Sequence, residues 1–370
     1  MAVRSVGVEE ELLLVDPGTG QPRAVAETAL RAVGAGGGDG AVSDAARALD
    51  FELQLQQLET NTRPCRGLDE LGREIRRCRA LAAEAAGRAG VQVAALATSP
   101  VPAEPEVVRT SRYLEMARAF GITAAEQLTC GCHVHVEVSS AEEGVAVLDR
   151  IGPWLAVLLA LSANSPFWQG RDTAYASFRY QAWGRWPTSG PAEVFGTAEA
   201  YRETVRQMVR TGTLLDAGMV YFDARLSEHY PTVEIRIADV CLRADDAVLV
   251  AALARALVDT AARCWRAGGP AGQQRTAVLR LAAWRASRSG LADVLLSPVT
   301  GLPEPAAAVI STLLAHLSDA LAEAGDTSVV TELLTAALAR GNGATFQRDA
   351  YRNDHDLAQV TSTAAAATAR

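Results

Sequence analysis

The sequence contains no lysine, so all 35 of its lysine-or-arginine positions are arginine. This absence excludes Schiff-base chemistry through lysine and the phosphate-binding lysine of a P-loop. The motifs G-x-x-x-x-G-K-S/T, nucleotide-type G-x-G-x-x-G and G-x-S-x-G are also missing, so kinase and hydrolase functions have no motif support. The formal net charge of −8 argues against a nucleic-acid partner.

Long apolar runs and paired cysteines are scarce as well. Residues 1–10 contain no apolar run of signal-peptide length, and the richest apolar stretch, residues 154–163, is about half as long as a membrane span requires. The six cysteines form no repeated C-x-x-C pair, so we expect free thiols in a reducing compartment. These features predict a cytoplasmic protein that has no membrane partner.

Four segments combine an apolar face with a strongly polar one. Side chains alternate along a strand, so residues two apart share a face. The four polar faces carry Glu9 and Glu11, Glu52 and Glu59, His133 and His135, and Glu234 and Arg236. The carboxylates of such a surface repel one another unless cations neutralise them, which favours a cation-dependent active site. Mg²⁺ and Mn²⁺ prefer oxygen donors, so the first four glutamates are candidate ligands.

Two positions depart from simple alternation. Glu10 falls on the apolar side of its strand, which suits a strand end or an ion pair. In the second segment the apolar residues change parity across Gln56 and Gln57. We interpret this change as a β-bulge in one continuous strand, which would bring Glu52 and Glu59 to the same face.

Each polar face also has an ordinary explanation. Any one of them could be the solvated side of an amphipathic strand, although four together weaken that explanation. The pair His133 and His135 would also suit zinc, but no third nitrogen or sulfur ligand is evident on that face. Glu234 could simply pair with Arg236, or Arg236 could hold a phosphate or a substrate carboxylate in a bidentate fashion.

The order of patterns along the chain predicts an α+β fold. Strand-like segments occupy the first part, and helical patterns cover residues 245–266, 274–287, 305–324 and 329–340 of the C-terminal third. We expect a mainly antiparallel sheet, one catalytic domain over residues 1–350, and a partly disordered tail over residues 351–370. A loop over residues 167–187 is rich in aromatics and arginine, which suits either an anionic ligand or a packed surface loop.

These segments resemble the glutamate–cysteine ligase type 2, or carboxylate–amine ligase, family. The resemblance rests on residues 7–12 (GVEEEL), 57–62 (QLETNT), 129–136 (TCGCHVHV), 161–168 (LSANSPFW), 179–181 (RYQ), 183–187 (WGRWP), 231–236 (PTVEIR) and 238–241 (ADVC). It implies a glutamine-synthetase-like fold, in which a curved antiparallel sheet lines a funnel and helices pack behind it. It also implies ATP-dependent formation of a γ-glutamyl amide, first of all with cysteine, through an acyl phosphate and with two or more Mg²⁺ (or Mn²⁺) ions.

The resemblance also assigns roles to residues. The metal-binding or metal-proximal positions are Glu9, Glu11, Glu52, Glu59, His133 and Glu234. Arg236 matches a position near the transferred phosphoryl group and, with Glu59 and His133, is expected to act at the reacting groups. The nucleotide is expected to contact Arg179, Arg185, Arg236 and Arg348. His133 is interpreted as a ligand of metal or phosphate and not as a base.

The sequence departs from the family pattern at Glu137 and Phe346, which leaves open a ligase for a different amine or carboxylate. The partners implied are small molecules, and apolar faces on the C-terminal helices would suit a homodimer. Two other functions stay in view: a regulator that binds a nucleotide or metabolite without turnover, and, more distantly, a zinc-dependent hydrolase.

Overall fold

The computed structural model describes residues 3–34, 48–272 and 275–369, and the statements about structure concern these residues. The strands are β1 (Val6–Val15), β2 (Leu49–Phe51), β3 (Gln57–Asn61), β4 (Gln92–Ala94), β5 (Cys132–Glu137), β6 (Phe167–Trp168), β7 (Arg171–Asp172), β8 (Ala224–Leu226), β9 (Thr232–Ile235), β10 (Val294–Leu296) and β11 (Pro303–Pro305). The helices are α1 (Ala26–Gly34), α2 (Leu68–Arg88), α3 (Ser111–Phe120), α4 (Ile122–Ala125), α5 (Ala141–Ser162), α6 (Phe178–Trp183), α7 (Ala198–Arg210), α8 (Ala244–Arg266), α9 (Thr276–Ser289), α10 (Ala306–Ala324), α11 (Thr327–Arg340), α12 (Gly343–Asp354) and α13 (Leu357–Thr368).

Seven strands form one antiparallel sheet at the centre of the fold. Their order is β2-β3-β1-β5-β9-β8, and β4 pairs with the last residues of β1. The register places Glu11 opposite Glu59, Glu9 opposite His133, and His135 opposite Glu234. The polar faces of the three central strands and β3 are therefore side by side on the same surface of the sheet.

The other surface of the sheet packs against helices and forms the main apolar core. Valines and isoleucines of β1, β5 and β9 contact the long helices α5 and α8, which are apolar on nearly every side. Helices α2, α10 and α11 complete this layer around α8. The helical C-terminal third thus covers one side of the sheet and leaves the polar side open.

By length and composition, two helices among the described residues could span a membrane, although charged residues interrupt both and neither is an unbroken apolar run of that length. They are α5 and α10, in which 78% and 39% of the most apolar stretch is buried within the protein. Helix α5 owes its composition to its place in the core, because its side chains contact the sheet and helices α8 and α9.

A buried ion pair explains the misplaced Glu10. Its carboxylate lies on the apolar side of β1, where Arg79 of α2 donates two hydrogen bonds of 2.8 and 2.6 Å to it. The same guanidinium also donates to the carbonyl oxygens of Cys241 and Leu242. Of the two explanations offered for Glu10, the ion pair is therefore confirmed.

The structure corrects three sequence-based predictions of local form. The bulged strand is instead a hairpin, in which β2 pairs with β3 and residues 52–56 form the connection. The expected loop over residues 167–187 contains the β6–β7 ribbon and helix α6. The tail that was expected to be partly disordered forms α13, whose Thr368 hydroxyl accepts a hydrogen bond from the backbone N–H of Ala95. The predicted domain limit at residue 350 falls inside α12.

The prediction of an α+β fold is confirmed, including the mainly antiparallel sheet and the helical C-terminal third. The predicted helices agree with α8, α9, α10 and α11 within a few residues, although residue 274, the predicted start of α9, lies outside the described residues. The single catalytic domain and the homodimer stay predictions.

Candidate active site

A cavity of about 640 Å³ lies on the polar face of the sheet. Its floor comprises Glu9, Glu11, Glu52, Glu59, Thr129, His133, His135, Glu234 and Arg236. Helices α3 and α7, the aromatic residues Trp183, Trp186 and Tyr221, and residues 226–230 form its walls. All six predicted metal-site residues and Arg236 are thus brought into one cavity.

The first of two ligand groups consists of Glu9, His133 and Glu234. One donor atom from each lies within 4.8 Å of the other two. The carboxylate of Glu9 is 3.5 Å from His133 Nδ1 and 3.3 Å from His135 Nε2. The group therefore joins two carboxylates and one imidazole from three adjacent strands.

The second ligand group consists of Glu11, Glu52 and Glu59, whose oxygens also approach within 4.8 Å of one another. Glu11 and Glu59 are directly opposed on β1 and β3, while Glu52 begins the hairpin connection. The predicted meeting of Glu52 and Glu59 in one site therefore occurs, but a turn and not a bulge brings it about. Among the described residues, no ion pair within 4 Å joins an arginine to any of these three carboxylates, and the backbone N–H of Gly131 donates to Glu11 at 2.6 Å.

The pKa values of the carboxyl groups report this crowding. Burial raises the pKa of Glu52 to about 7, and repulsion from Glu11 adds to the effect. Burial and then the charges of Glu9 and Glu52 raise the pKa of Glu59 well above its ordinary value. Two carboxyls of one group therefore resist ionisation until positive charge is supplied.

The other group is balanced by cations of the protein. Burial would raise the pKa of Glu9, but its contacts with His133 and His135 outweigh burial and lower it strongly. Burial would also raise the pKa of Glu234, yet Arg236 and then Arg225 hold it well below the ordinary range. These two carboxyls are ionised at neutral pH.

The pKa values of the two histidines shift in opposite directions. Burial, and secondarily Arg236, lowers the pKa of His133, so its imidazole is neutral at neutral pH. Its Nε2 atom is buried without a hydrogen-bond partner and lies 3.6 Å from Glu11. For His135 the hydrogen bond to Glu9 outweighs burial and raises the pKa. A neutral His133 has a lone pair available for a metal ion.

Arg236 is held in place at the centre of the cavity. Its Nη1 donates to Glu234, and its guanidinium lies 6.0 Å from the Trp183 ring centre and 5.9 Å from that of Tyr221. Its Nε has no partner among the described residues. Glu234 is fixed in turn by Arg225, whose Nε donates at 2.7 Å. The guanidinium is therefore preorganised and keeps donors available for a ligand.

A close approach explains the glycine before the histidine strand. A Cβ at Gly131 would lie 2.2 Å from Nη2 of Arg179 and 2.9 Å from Nε2 of His133. Any larger residue would therefore displace both side chains.

Three predicted nucleotide contacts lie outside this cavity. Arg179 is buried beside the polar face of the sheet, 3.9 Å from Asp239 and close to Gly131, but it does not line the cavity. Arg185 pairs with Glu126 at the surface, and Arg348 makes a bidentate pair with Asp172. The structure therefore places Arg236 in the cavity with the ligand groups, Arg179 beside the cavity near His133, and Arg185 and Arg348 outside it.

The two departures from the family pattern also lie away from the cavity. The Glu137 carboxylate accepts hydrogen bonds from the backbone and hydroxyl of Ser5 and pairs with Arg66. Phe346 packs against an apolar cluster near Arg243. Among the described residues, neither side chain lines the candidate site.

Sequence reasoning missed several cavity residues. Arg225 belongs to a strand of three residues, too short for alternation to reveal its face. Gln127 and Tyr221 lie in irregular segments with no motif. Arg112 and Arg202 lie on amphipathic helices, and a polar helix face is ordinarily explained by contact with solvent. To find these residues, one would have had to know which distant segments of the chain meet at the cavity.

The donor set fits hard divalent cations. Five carboxylates and one neutral imidazole converge in two groups, and in one group burial and then mutual repulsion raise the pKa values of Glu52 and Glu59. Oxygen-rich sites of this kind suit Mg²⁺ or Mn²⁺. Among the described residues the two groups contain one nitrogen ligand, from His133, and no sulfur ligand, whereas zinc prefers several ligands of these kinds.

Comparison with known proteins decides the family. A model of "glutamate–cysteine ligase family 2" matches residues 5–361. The chain belongs to this family. The resemblance inferred from the sequence segments is therefore confirmed.

Curated family members share about half of their residues with this chain. A Streptomyces avermitilis protein, named as a candidate glutamate–cysteine ligase 2-1, is 55% identical over 94% of both chains. A Streptomyces coelicolor protein, named as a candidate glutamate–cysteine ligase 2, is 53% identical over 97% of both. The match thus extends along nearly the full length of these proteins.

Solved structures support the fold. The glutamate–cysteine ligase of Francisella tularensis, in complex with AMP, matches with a TM-score of 0.71 and 12% identity over 100% of this chain and 89% of its own. A bifunctional glutathione synthetase of Pasteurella multocida matches with a TM-score of 0.70 and 16% identity over 99% of this chain and 52% of its own. The family member described here thus shares its fold with ligases of this type.

Proposed function

We propose that this chain is an ATP-dependent ligase that joins the γ-carboxylate of L-glutamate to an amine, with L-cysteine as the first candidate. Family membership and the names of the relatives support the ligase class, and the AMP complex of the Francisella protein supports the use of ATP. The observation that carries the proposal is the convergence of two ligand groups and Arg236 in one cavity.

Electrostatics requires cations for such a reaction. A cavity with five carboxylates would repel a polyphosphate and a substrate carboxylate. We assign one Mg²⁺ (or Mn²⁺) site to Glu9, His133 and Glu234, and another to Glu11, Glu52 and Glu59. When bound, the ions would offset the phosphate charge and polarise the transferred phosphoryl group.

The fixed side chains would complete the charge balance. Arg236 would donate from its guanidinium to a phosphoryl oxygen, while Glu234 and Arg225 keep it in position. His133 has a lowered pKa and is neutral at neutral pH, which supports the proposal that it serves as a ligand. Arg202 lines the cavity wall, has no carboxylate partner in the described part of the chain, and could bind a further anionic group.

The reaction would proceed in two steps. A carboxylate oxygen of glutamate attacks the γ-phosphorus of ATP, so that ADP leaves and an acyl phosphate forms. The amine then attacks the acyl carbon, and phosphate departs with the oxygen that the carboxylate supplied. Arg236 would stabilise the charge that develops on phosphate in both steps.

The state of the cysteines suits a cytoplasmic enzyme. All six cysteines are free, and five of them are buried, as expected for a reducing compartment. On this basis we propose a cytoplasmic location. From the family we propose small-molecule substrates and no membrane partner.

The test is the release of ADP with Mg²⁺, ATP and L-glutamate, with and without L-cysteine, followed by a panel of other amines. Cysteine-dependent ADP release with a γ-glutamyl product is expected. Glu59→Gln should abolish it, whereas Glu70→Gln on the exposed side of α2 should not. ADP release with a different pair would reject cysteine, and Mg·ATP binding without any turnover would favour the regulator.

A further inference from the structure

A second cavity, of about 380 Å³, lies outside the candidate active site. Helix α6 and the residues that follow it form one wall, and α9 forms the other. The volume falls within the range of about 300–1,000 Å³ that is usual for small-molecule sites. Trp183 is the one described residue that lines both this second cavity and the candidate active site. No function assigned so far uses the second cavity.

Aromatic residues dominate the walls of the second cavity. Tyr180 and Trp183 line it from α6, and Trp284 lines it from α9. Trp284 is 45% exposed, and Leu281 in the same wall is 61% exposed. Apolar side chains that are exposed at the wall of a cavity lose contact with water when a ligand covers them, which favours binding. The walls therefore suit a planar ring.

The charge of the second cavity is positive. Its charged lining residues are Arg185 and Arg280, and no carboxylate lines it in the described part of the chain. Glu126 neutralises Arg185 through an ion pair of 2.6 Å. Among the described residues, no ion pair within 4 Å joins Arg280 to a carboxylate, and its helix α9 contains no acidic residue. One uncompensated guanidinium therefore favours an anionic ligand.

The charge of Arg280 reaches one buried acid, Asp223, which does not line the second cavity. Burial raises the pKa of Asp223 to about 7, although the hydrogen bond from Tyr180 and the charges of Arg179 and Arg280 act in the opposite direction. Asp223 is therefore only partly ionised at neutral pH. The positive charge of Arg280 is thus left largely for a ligand in the cavity.

We propose that the second cavity binds a small aromatic carboxylate. Its ring would lie against Trp183 and Trp284, and Arg280 would donate to its carboxylate in a bidentate fashion. A single uncompensated arginine matches one negative charge, whereas a phosphate ester carries close to two. The inference goes beyond the proposed ligase and does not depend on it, because neither ligand group lines this cavity.

Matched small molecules test the class of ligand. Benzoate, phenylacetate and indoleacetate are each titrated calorimetrically into the full chain, against the corresponding carboxamide and against acetate. At least one aromatic carboxylate should bind about tenfold tighter than its carboxamide, because a charge-assisted hydrogen bond is about twice as strong as a neutral one. Acetate, which lacks the ring, should bind at least tenfold more weakly than that carboxylate. Equal affinity of acid and amide in every pair, or no binding of any aromatic carboxylate, would overturn the inference.

Variants of α9 then test the location. Arg280→Gln and Trp284→Ala should each weaken binding of the tightest aromatic carboxylate about tenfold or more. The matched controls are Arg285→Gln and Val278→Ala, which lie on the same helix outside the second cavity and should leave the affinity unchanged. Wild-type affinity in Arg280→Gln and Trp284→Ala, with unchanged circular dichroism, would overturn the assignment to this cavity.

Competition separates the second cavity from the candidate active site. Binding of the aromatic carboxylate should persist when Mg²⁺ and a non-hydrolysable ATP analogue are saturating, and when Glu59 is replaced by glutamine. Displacement by L-glutamate or by the ATP analogue would place the ligand in the candidate active site and overturn the inference. ADP release without binding of any aromatic carboxylate would retain the ligase and reject the second site, whereas binding without ADP release would do the reverse.

Discussion

The pKa of Glu52 leads to a quantitative prediction about stability. Burial and the neighbouring Glu11 raise this pKa from 4.5 to about 7. Below pH 4.5 the carboxyl is protonated in both the folded and the unfolded chain, and above pH 7 it is ionised in both. Between these values the folded chain holds a proton that the unfolded chain has lost, so stability falls as the pH rises through this window. The shift corresponds to about 3 kcal/mol at pH 8, because one pKa unit is worth about 1.4 kcal/mol.

Glu52→Gln should remove this cost. In the presence of a metal chelator at pH 8, we expect the variant to be more stable than the wild type by up to about 3 kcal/mol, with a shallower decline between pH 4.5 and 7. With Mg²⁺ the wild type should gain stability and the variant should gain less, because one of its ligands is lost. Urea unfolding at several pH values, with and without Mg²⁺, measures both effects.

Asp223 provides a matched control. Burial raises its pKa from 3.8 to about 7, and Tyr180 donates a hydrogen bond of 3.2 Å to it, but it belongs to neither ligand group. Asp223→Asn should therefore flatten the pH dependence and leave the gain from Mg²⁺ unchanged. The reasoning would be refuted if Glu52→Gln were less stable than the wild type at pH 8 with chelator, or if both variants lost the same Mg²⁺ effect.

Three further predictions concern single residues. Glu10→Gln leaves the buried charge of Arg79 uncompensated and should lower the unfolding free energy by about 3–5 kcal/mol in urea; a loss below about 1 kcal/mol would contradict a buried pair. Gly131→Ala should abolish Mg²⁺-dependent thermal stabilisation, whereas Gly67→Ala, which meets open space, should retain it. Arg236→Lys should lower kcat on the order of 100-fold in ADP release, because lysine lacks the guanidinium fork; an unchanged kcat would remove Arg236 from the reaction.

The candidate site was predictable because its residues lie on regular strands. Alternation alone identifies the shared faces of Glu9 with Glu11 and of His133 with His135. Adjacent antiparallel strands then juxtapose those faces, and the register confirms this for Glu9 and His133. Such local rules require no knowledge of distant contacts.

The remaining features depend on contacts between distant parts of the chain. Glu10 could be placed on the apolar side, but Arg79, 69 residues away, could not be identified as its partner. The parity change at Gln56 and Gln57 has two explanations, a bulge and a turn, and only the pairing of β2 with β3 distinguishes them. The C-terminal helix α13 is rich in alanine and gains its place by packing on β4, which the local pattern does not show.

The fate of the carboxylate oxygen tests the proposed reaction most directly. Glutamate labelled with ¹⁸O in its γ-carboxylate is incubated with the chain, Mg²⁺, ATP and the amine that supports ADP release. We predict that one labelled oxygen appears in the inorganic phosphate for each γ-glutamyl product, because the carboxylate oxygen attacks phosphorus and leaves with it. Product formation with unlabelled phosphate, or with release of AMP, would contradict the acyl-phosphate mechanism.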